Sequence, residues 1–121
     1  MPRFRYVPRA ASAAPSVPFA DAEEAWFWFV RCHRVRRAGA RLSGGSADTT
    51  RPCDPDDIYR AVRSLARAGR IGKDHLRVLS HYGLRERPPD PRRPGEFGAA
   101  RLWADSLDGL AAVLRGKGIV P

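Results

Sequence analysis

The sequence is short of almost everything that holds or anchors a protein by means other than a packed core. Only two cysteines, Cys32 and Cys53, occur in 121 residues, too few for the disulfide framework of a small secreted domain. The longest unbroken apolar run, Ala25 to Val30, is six residues, against the roughly 20 that a bilayer-spanning helix needs. No membrane partner is therefore expected. No apolar segment with a small-residue cleavage site follows the N-terminus, and a reducing, cytoplasmic setting is the expectation.

Acids are also scarce. There are 13 Asp and Glu against 22 Lys and Arg, a formal charge of +9, the imbalance found in proteins that meet nucleic acid or acidic surfaces. All but two of the basic residues are arginine, in a chain rich in Ala, Pro and Gly. That composition is the pattern expected of a high-GC genome, but codon usage does not explain the excess over acids.

Catalytic signatures are missing too. No G-x-S-x-G, Walker A or G-x-G-x-x-G pattern is present, and Gly44-Gly45 precedes neither a lysine nor a strand-to-helix turn. General acid-base work needs convergent titratable groups, whereas this chain spreads its acids at helix starts, so no catalytic residue and no cofactor is assigned. Cys32, His33, Cys53, His75 and His81 supply zinc-binding atoms without the paired spacing of a zinc site, so no metal is expected. The Asp54-Pro55-Asp56-Asp57 cluster reads as a helix start, which wants those carboxylates without any cation.

What is there is a set of helical patterns. Residues 1–18 mix four prolines with Arg3, Arg5 and Arg9 and contain no acid. They read as a basic, disordered arm, leaving one domain over 19–121. A first helix begins at Asp21, with a D-x-x-E box to Glu24 and Phe19 as a possible staple upstream, and runs to about Ala38. Stepping 100° per residue puts Ala22, Trp26, Phe29, Val30 and His33 on one stripe and Ala25, Trp28, Cys32 and Val35 on a second. Phe27 falls on the remaining side with Arg31 and Arg34. Trp26, Trp28 and Phe29 are thus expected in the core, and Phe27 on the solvent side as a stacking or partner contact.

After a Gly/Ser/Thr loop (39–53), the Asp54 cap and Pro55 open a second helix that ends at Gly69. It carries Ile58, Ala61, Val62 and Leu65 on one side and Asp56, Arg60, Arg63 and Arg67 on the other. A third helix starts at Lys73, with Leu76, Leu79 and Tyr82 inward, and Gly83 is its expected C-cap. Residues 84–98, rich in Pro and Arg, read as a surface loop. A last helix from about Ala99 carries Trp103, Leu107, Leu110 and Leu114 inward. No strand-period alternation appears, and the fold class is all-α, a small bundle of about four helices.

The second and third helices, joined across Gly69 to Gly72, have the order of a helix-turn-helix pair. Arg60, Arg63, Arg67, Arg70, Lys73, Arg77, Ser80 and His81 are the candidate nucleic-acid contacts, with Arg3, Arg5 and Arg9 of the arm. The bland alternative is a solvated basic face. The stretches PFADAEEAWFWF, RPCDPDD, GRIGKDHLRVL and LWADSLDGLAAVLRGKGIV resemble a group of short alphaproteobacterial proteins of unassigned function. That resemblance, over about residues 18 to 120, implies a bacterial cytoplasmic domain and no activity. The leading expectation is a small DNA-binding or nucleoprotein-associated regulator, with duplex DNA as partner and RNA left open. The alternative is a helical adaptor or homodimer that docks through the aromatic first helix.

Overall fold

The structure, a computed structural model, describes residues 16–39 and 50–121. Arg3, Arg5 and Arg9, and most of the Gly/Ser/Thr loop, lie outside these residues. Four helices account for the described body: α1 (Ala22–Arg37), α2 (Pro55–Arg67), α3 (Lys73–Arg85) and α4 (Phe97–Gly116), with a 3-10 turn, Pro94–Glu96, leading into α4.

Local chemistry sets most of the boundaries. Asp21 accepts from the Glu24 N–H at 2.9 Å, as an N-cap should. The Glu24 carboxylate reaches one residue further back than the box pattern implies, to the Ala20 N–H at 2.6 Å. In α2 the Asp54 N–H donates to the Asp57 carboxylate at 3.0 Å, ahead of Pro55. Gly69 takes φ +77 at the end of α2, and the next N–H, that of Arg70, turns back to the Leu65 carbonyl at 2.9 Å.

Helices α1 and α4 form the middle of the bundle, because each packs against all three others. Helices α2 and α3 are its far corners. No Cα of α2 comes within 8 Å of a Cα of α3, so the two are positioned by α1 and α4 rather than by one another. The core between them holds Phe19, Trp26, Val30, Ile58, Leu65, Leu79, Trp103, Leu110 and Leu114. Ile119 and Val120 fold back onto it after α4.

Two expectations for the aromatic helix are corrected. Of its four consecutive aromatics only Trp26 is buried, while Phe27, Trp28 and Phe29 are half-buried against the core. Phe27 does not stand on a solvent side: its ring lies 5.5 Å from that of Trp103, whose indole N–H donates to Glu23 at 3.0 Å. The face carrying Glu23 and Phe27 is therefore the face that meets α4. Burial along α1 changes with length as well as with angle. Its first half is enclosed, whereas from Arg31 onward the helix is largely exposed, and Arg31 says little about the surroundings of Phe27 one turn earlier.

Gly83 is corrected as well. It is not the C-cap of α3 but a buried interior residue, and the helix continues to Arg85 and ends on Glu86 at φ 57. The reason for a glycine here is α1. A Cβ at position 83 would lie 2.9 Å from Trp26 Nε1 and 3.0 Å from Val30 Cγ2. The missing side chain lets the Trp26 indole settle on α3 and donate to the Leu79 carbonyl at 3.0 Å.

The chain on either side of the bundle is tied down by two arginines. Arg51 donates to the Val17 and Pro18 carbonyls and to Glu24 at 3.2 Å, and its guanidinium covers the Phe19 ring. The Ala20 N–H and, after it, Arg51 hold the Glu24 carboxyl below its ordinary value. Ser16 pairs with Thr50 in an isolated bridge, so described chain begins three residues inside the segment expected to be arm. Arg87 makes a two-pronged pair with Glu96 at 3.0 and 2.9 Å, closing the Pro-rich loop between α3 and α4. Glu96 also accepts from the Asp90 N–H at 2.7 Å.

Two predictions follow from these contacts. Gly83→Ala drives a methyl into a rigid indole, an overpacking cost of about 1–3 kcal/mol against a helix-propensity gain of up to about 1 kcal/mol. Gly109→Ala meets only the tip of Leu65 at 3.4 Å and keeps that gain. Urea unfolding should show the first variant less stable than the wild type and the second equal or more stable. The second prediction concerns acid. The Arg87 side chain and the Asp90 N–H pull the Glu96 carboxyl from 4.5 down to about 2. A depressed carboxyl stabilises fully above its unfolded value and loses that contribution as pH falls through its folded one. The stability difference between the wild type and Glu96→Gln should therefore shrink as pH is lowered from 4.5 towards about 2, as measured by denaturant midpoints.

Candidate functional site

The basic residues picked out from the sequence divide among three surfaces. Arg60, Arg63 and Arg67 stand on the outer side of α2, where with Tyr59 and Ser64 they line one open concave surface. The spacing explains the arrangement, since residues three and four apart are neighbours on a helix. Arg60 is held by Asp57 at 3.2 Å. Arg63 lies over the Tyr59 ring, 5.8 Å from its centroid. Neither Arg63 nor Arg67 makes an ion pair with a described residue. Arg70 and Lys73 follow in the chain, exposed in the turn and at the start of α3.

On α3 the candidates have different contacts. Arg77 is exposed and paired with Asp74 at 3.0 Å. Ser80, also exposed, lines the edge of a groove between α1, α2 and α3. His81 sits edge-on to Tyr82, 4.7 Å between ring centroids, with Arg85 Nη1 3.4 Å from its Nδ1. Lys73, Arg77, Ser80 and His81, at i, i+4, i+7 and i+8, lie within one exposed sector of α3. Arg31 and Arg34, expected beside an exposed Phe27, reach instead to the end of α3. Both approach Glu86, at 3.4 and 3.6 Å, and Arg34 donates to the Leu84 carbonyl. These exposed pairs are worth little individually, but they occupy the guanidinium groups.

The groove is the feature that the sequence did not announce. It has a volume of about 580 Å³; its floor is the Trp26, Phe29, Val30 and His33 stripe of α1, and its walls are Tyr59 and Val62 on one side and Leu76, Ser80 and Leu84 on the other. Phe29 stacks on both His33 and Tyr59. Tyr59 and Leu84 are among the few large apolar residues left exposed, at 48% and 52%. One signal was present: Leu76, Ser80 and Leu84 form an i, i+4, i+8 row, hidden once α3 is taken to end at Gly83.

The nucleophile and metal candidates have structural surroundings. Cys53 is buried, and burial first, then the Asp57 and Asp54 carboxylates, push its thiol up to about 12. Burial also raises Cys32. His75 bridges elements: its Nδ1 accepts from the Gly72 N–H at 3.1 Å and its Nε2 faces Asp105 at 2.9 Å, so it fastens the start of α3 to α4. Among the described residues no group of three or more His, Cys, Asp or Glu could hold a metal ion, and no helix is long and apolar enough to cross a membrane. Comparison of the chain with protein-family models, with curated proteins and with solved structures returns no match.

Since thiolate is the reactive form, Cys53 should stay silent towards a disulfide reagent such as dithionitrobenzoate at neutral pH in the folded protein. Cys32 should react slowly, and both thiols should titrate at once in denaturant. A rapid stoichiometric reaction of Cys53 in native buffer would contradict its place in the core.

Proposed function

We propose that the protein binds nucleic acid through phosphate contacts made by the outer side of α2 and the turn into α3, as a cytoplasmic, nucleoprotein-associated component with duplex DNA as its first candidate partner. The observation that carries this reading is the run of Arg63, Arg67, Arg70 and Lys73, cations that make no ion pair with a described residue, beside the acid-held Arg60 and the exposed Tyr59. Many of the other arginines are committed: Arg31 and Arg34 to Glu86, Arg51 to Glu24, Arg87 to Glu96, Arg92 to Asp90. Unpaired cations in a row are what counterion release requires.

The same geometry favours holding phosphates over reading bases. A groove reader needs a helix whose outward face carries several base contacts on a fixed support. Here no Cα of α2 lies within 8 Å of one of α3, and α3 takes its position from α1 and α4, so the pair lacks the mutual support of a groove reader. Binding that varies little with sequence is the consequence, and a role in regulation would then come from where the protein assembles rather than from an operator code.

The test is a salt-titrated affinity for random-sequence duplex DNA. Arg63→Ala and Arg67→Ala should each weaken binding on every duplex alike and flatten the dependence of log K on log salt by about 0.9. Arg77→Ala, whose partner Asp74 already neutralises it, should change the slope less. Affinity that is indifferent to salt, or that survives the combined loss of Arg63, Arg67, Arg70 and Lys73, would end this reading.

A further inference from the structure

We propose that the groove over α1, between α2 and α3, is a docking site for an amphipathic helix with an acidic flank, supplied by another protein. Helix α1 has α2, α3 and α4 against it, so three of its sides are taken by helices. Among the described residues, the side carrying Phe29 and His33 has no helix against it. Since α2 and α3 do not approach each other across it, the space is where a further helical neighbour of α1 would sit.

The chemistry of the walls indicates what such a helix must carry. The floor and both walls are apolar, and Tyr59 and Leu84, two exposed apolar side chains, face the space from opposite walls. A volume of about 580 Å³ falls in the range of ligand-binding clefts and suits the i, i+3/i+4, i+7 anchors by which an amphipathic helix fills a groove. The α1 end of the groove carries Arg34, which shares Glu86 with Arg31, and Arg37, and among the described residues no acidic side chain lines it. Arg37 makes no ion pair with a described residue. An occupant needs carboxylates opposite that end. That requirement disfavours a second copy of a chain with charge +9, and it disfavours residues 1–15, which contain three arginines and no acid.

The groove and the phosphate-binding surface meet at Tyr59, which lines both, but the groove residues probed below, Leu84 and Arg37, lie away from Arg63 and Arg67 on the outer side of α2. The two can fail independently.

The experiment uses the full chain and two dye-labelled helical peptides of about 18 residues, long enough to hold some helix alone. Both carry leucines at i, i+3, i+4 and i+7; one has glutamates elsewhere and the other lysines. By fluorescence anisotropy the glutamate peptide should bind at least about tenfold more tightly than the lysine peptide. Leu84→Ser should weaken it about tenfold and Arg37→Ala several-fold, both with the thermal midpoint and the duplex-DNA affinity of the wild type. Equal binding of the two peptides, absence of binding, or indifference to both substitutions overturns the proposal. So does sedimentation that shows a dimer converted to monomer by Leu84→Ser, which would make the second copy the occupant.

Discussion

The bundle depends on one close approach, the Trp26 indole lying on the bare backbone of Gly83 with its N–H donated to the Leu79 carbonyl. A tryptophan buried without a partner for its N–H is costly, and a helix backbone offers a carbonyl only where no side chain stands in the way. The glycine solves both problems at one position. It weakens α3 locally, and the indole that occupies the space restores more than is lost. From this contact follow the seat of α1 among three helices, the continuation of α3 beyond Gly83, and the placement of Glu86 where Arg31 and Arg34 can reach it.

Arginine serves two unlike purposes in this chain, and composition alone does not separate them. Arg51 and Arg87 are fasteners. Each satisfies carbonyls or carboxylates and covers an aromatic ring, Phe19 in one case and Tyr82 in the other, which a planar guanidinium does better than an ammonium. Arg63 lies over the Tyr59 ring but pairs with no carboxylate, and Arg67 makes no ion pair with a described residue. The arginines are therefore unequally engaged: those at the α3 end and in the Pro-rich loop share Glu86, Asp90 and Glu96, whereas Arg63 and Arg67 have no acid partner among the described residues.

Much of the architecture was legible in the residues because local signals act over a turn or less. Asp21 and Asp54 with Pro55 mark helix starts by hydrogen bonds to their own neighbours, and Gly69 marks an end by its backbone angle. The all-α bundle followed from these and from apolar spacing. Gly83 misled because the same residue serves two purposes, a left-handed cap and a point of contact, and only the partner helix decides between them. Phe27 misled for a related reason: the angle around a helix assigns a face, but how far along its length that face stays covered depends on α4. The candidate site suffered most. The basic side of α2 could be listed from its spacing, whereas the groove needs the separation of α2 from α3, a property of no single segment.

The pairing of Ser16 with Thr50 sets the two sides of α1 in unusual relation to the rest. Helix α1 meets the body through Trp26, Phe27 and the Arg51 to Glu24 pair, contacts that cross from residues 16–39 to residues 50–121, while α4 alone still joins α2 to α3. In effect the first helix is a tethered guest of a three-helix host. A chain severed between Gly39 and Thr50 would keep every one of those contacts, so the two pieces have the makings of a split protein that reassembles without a covalent link.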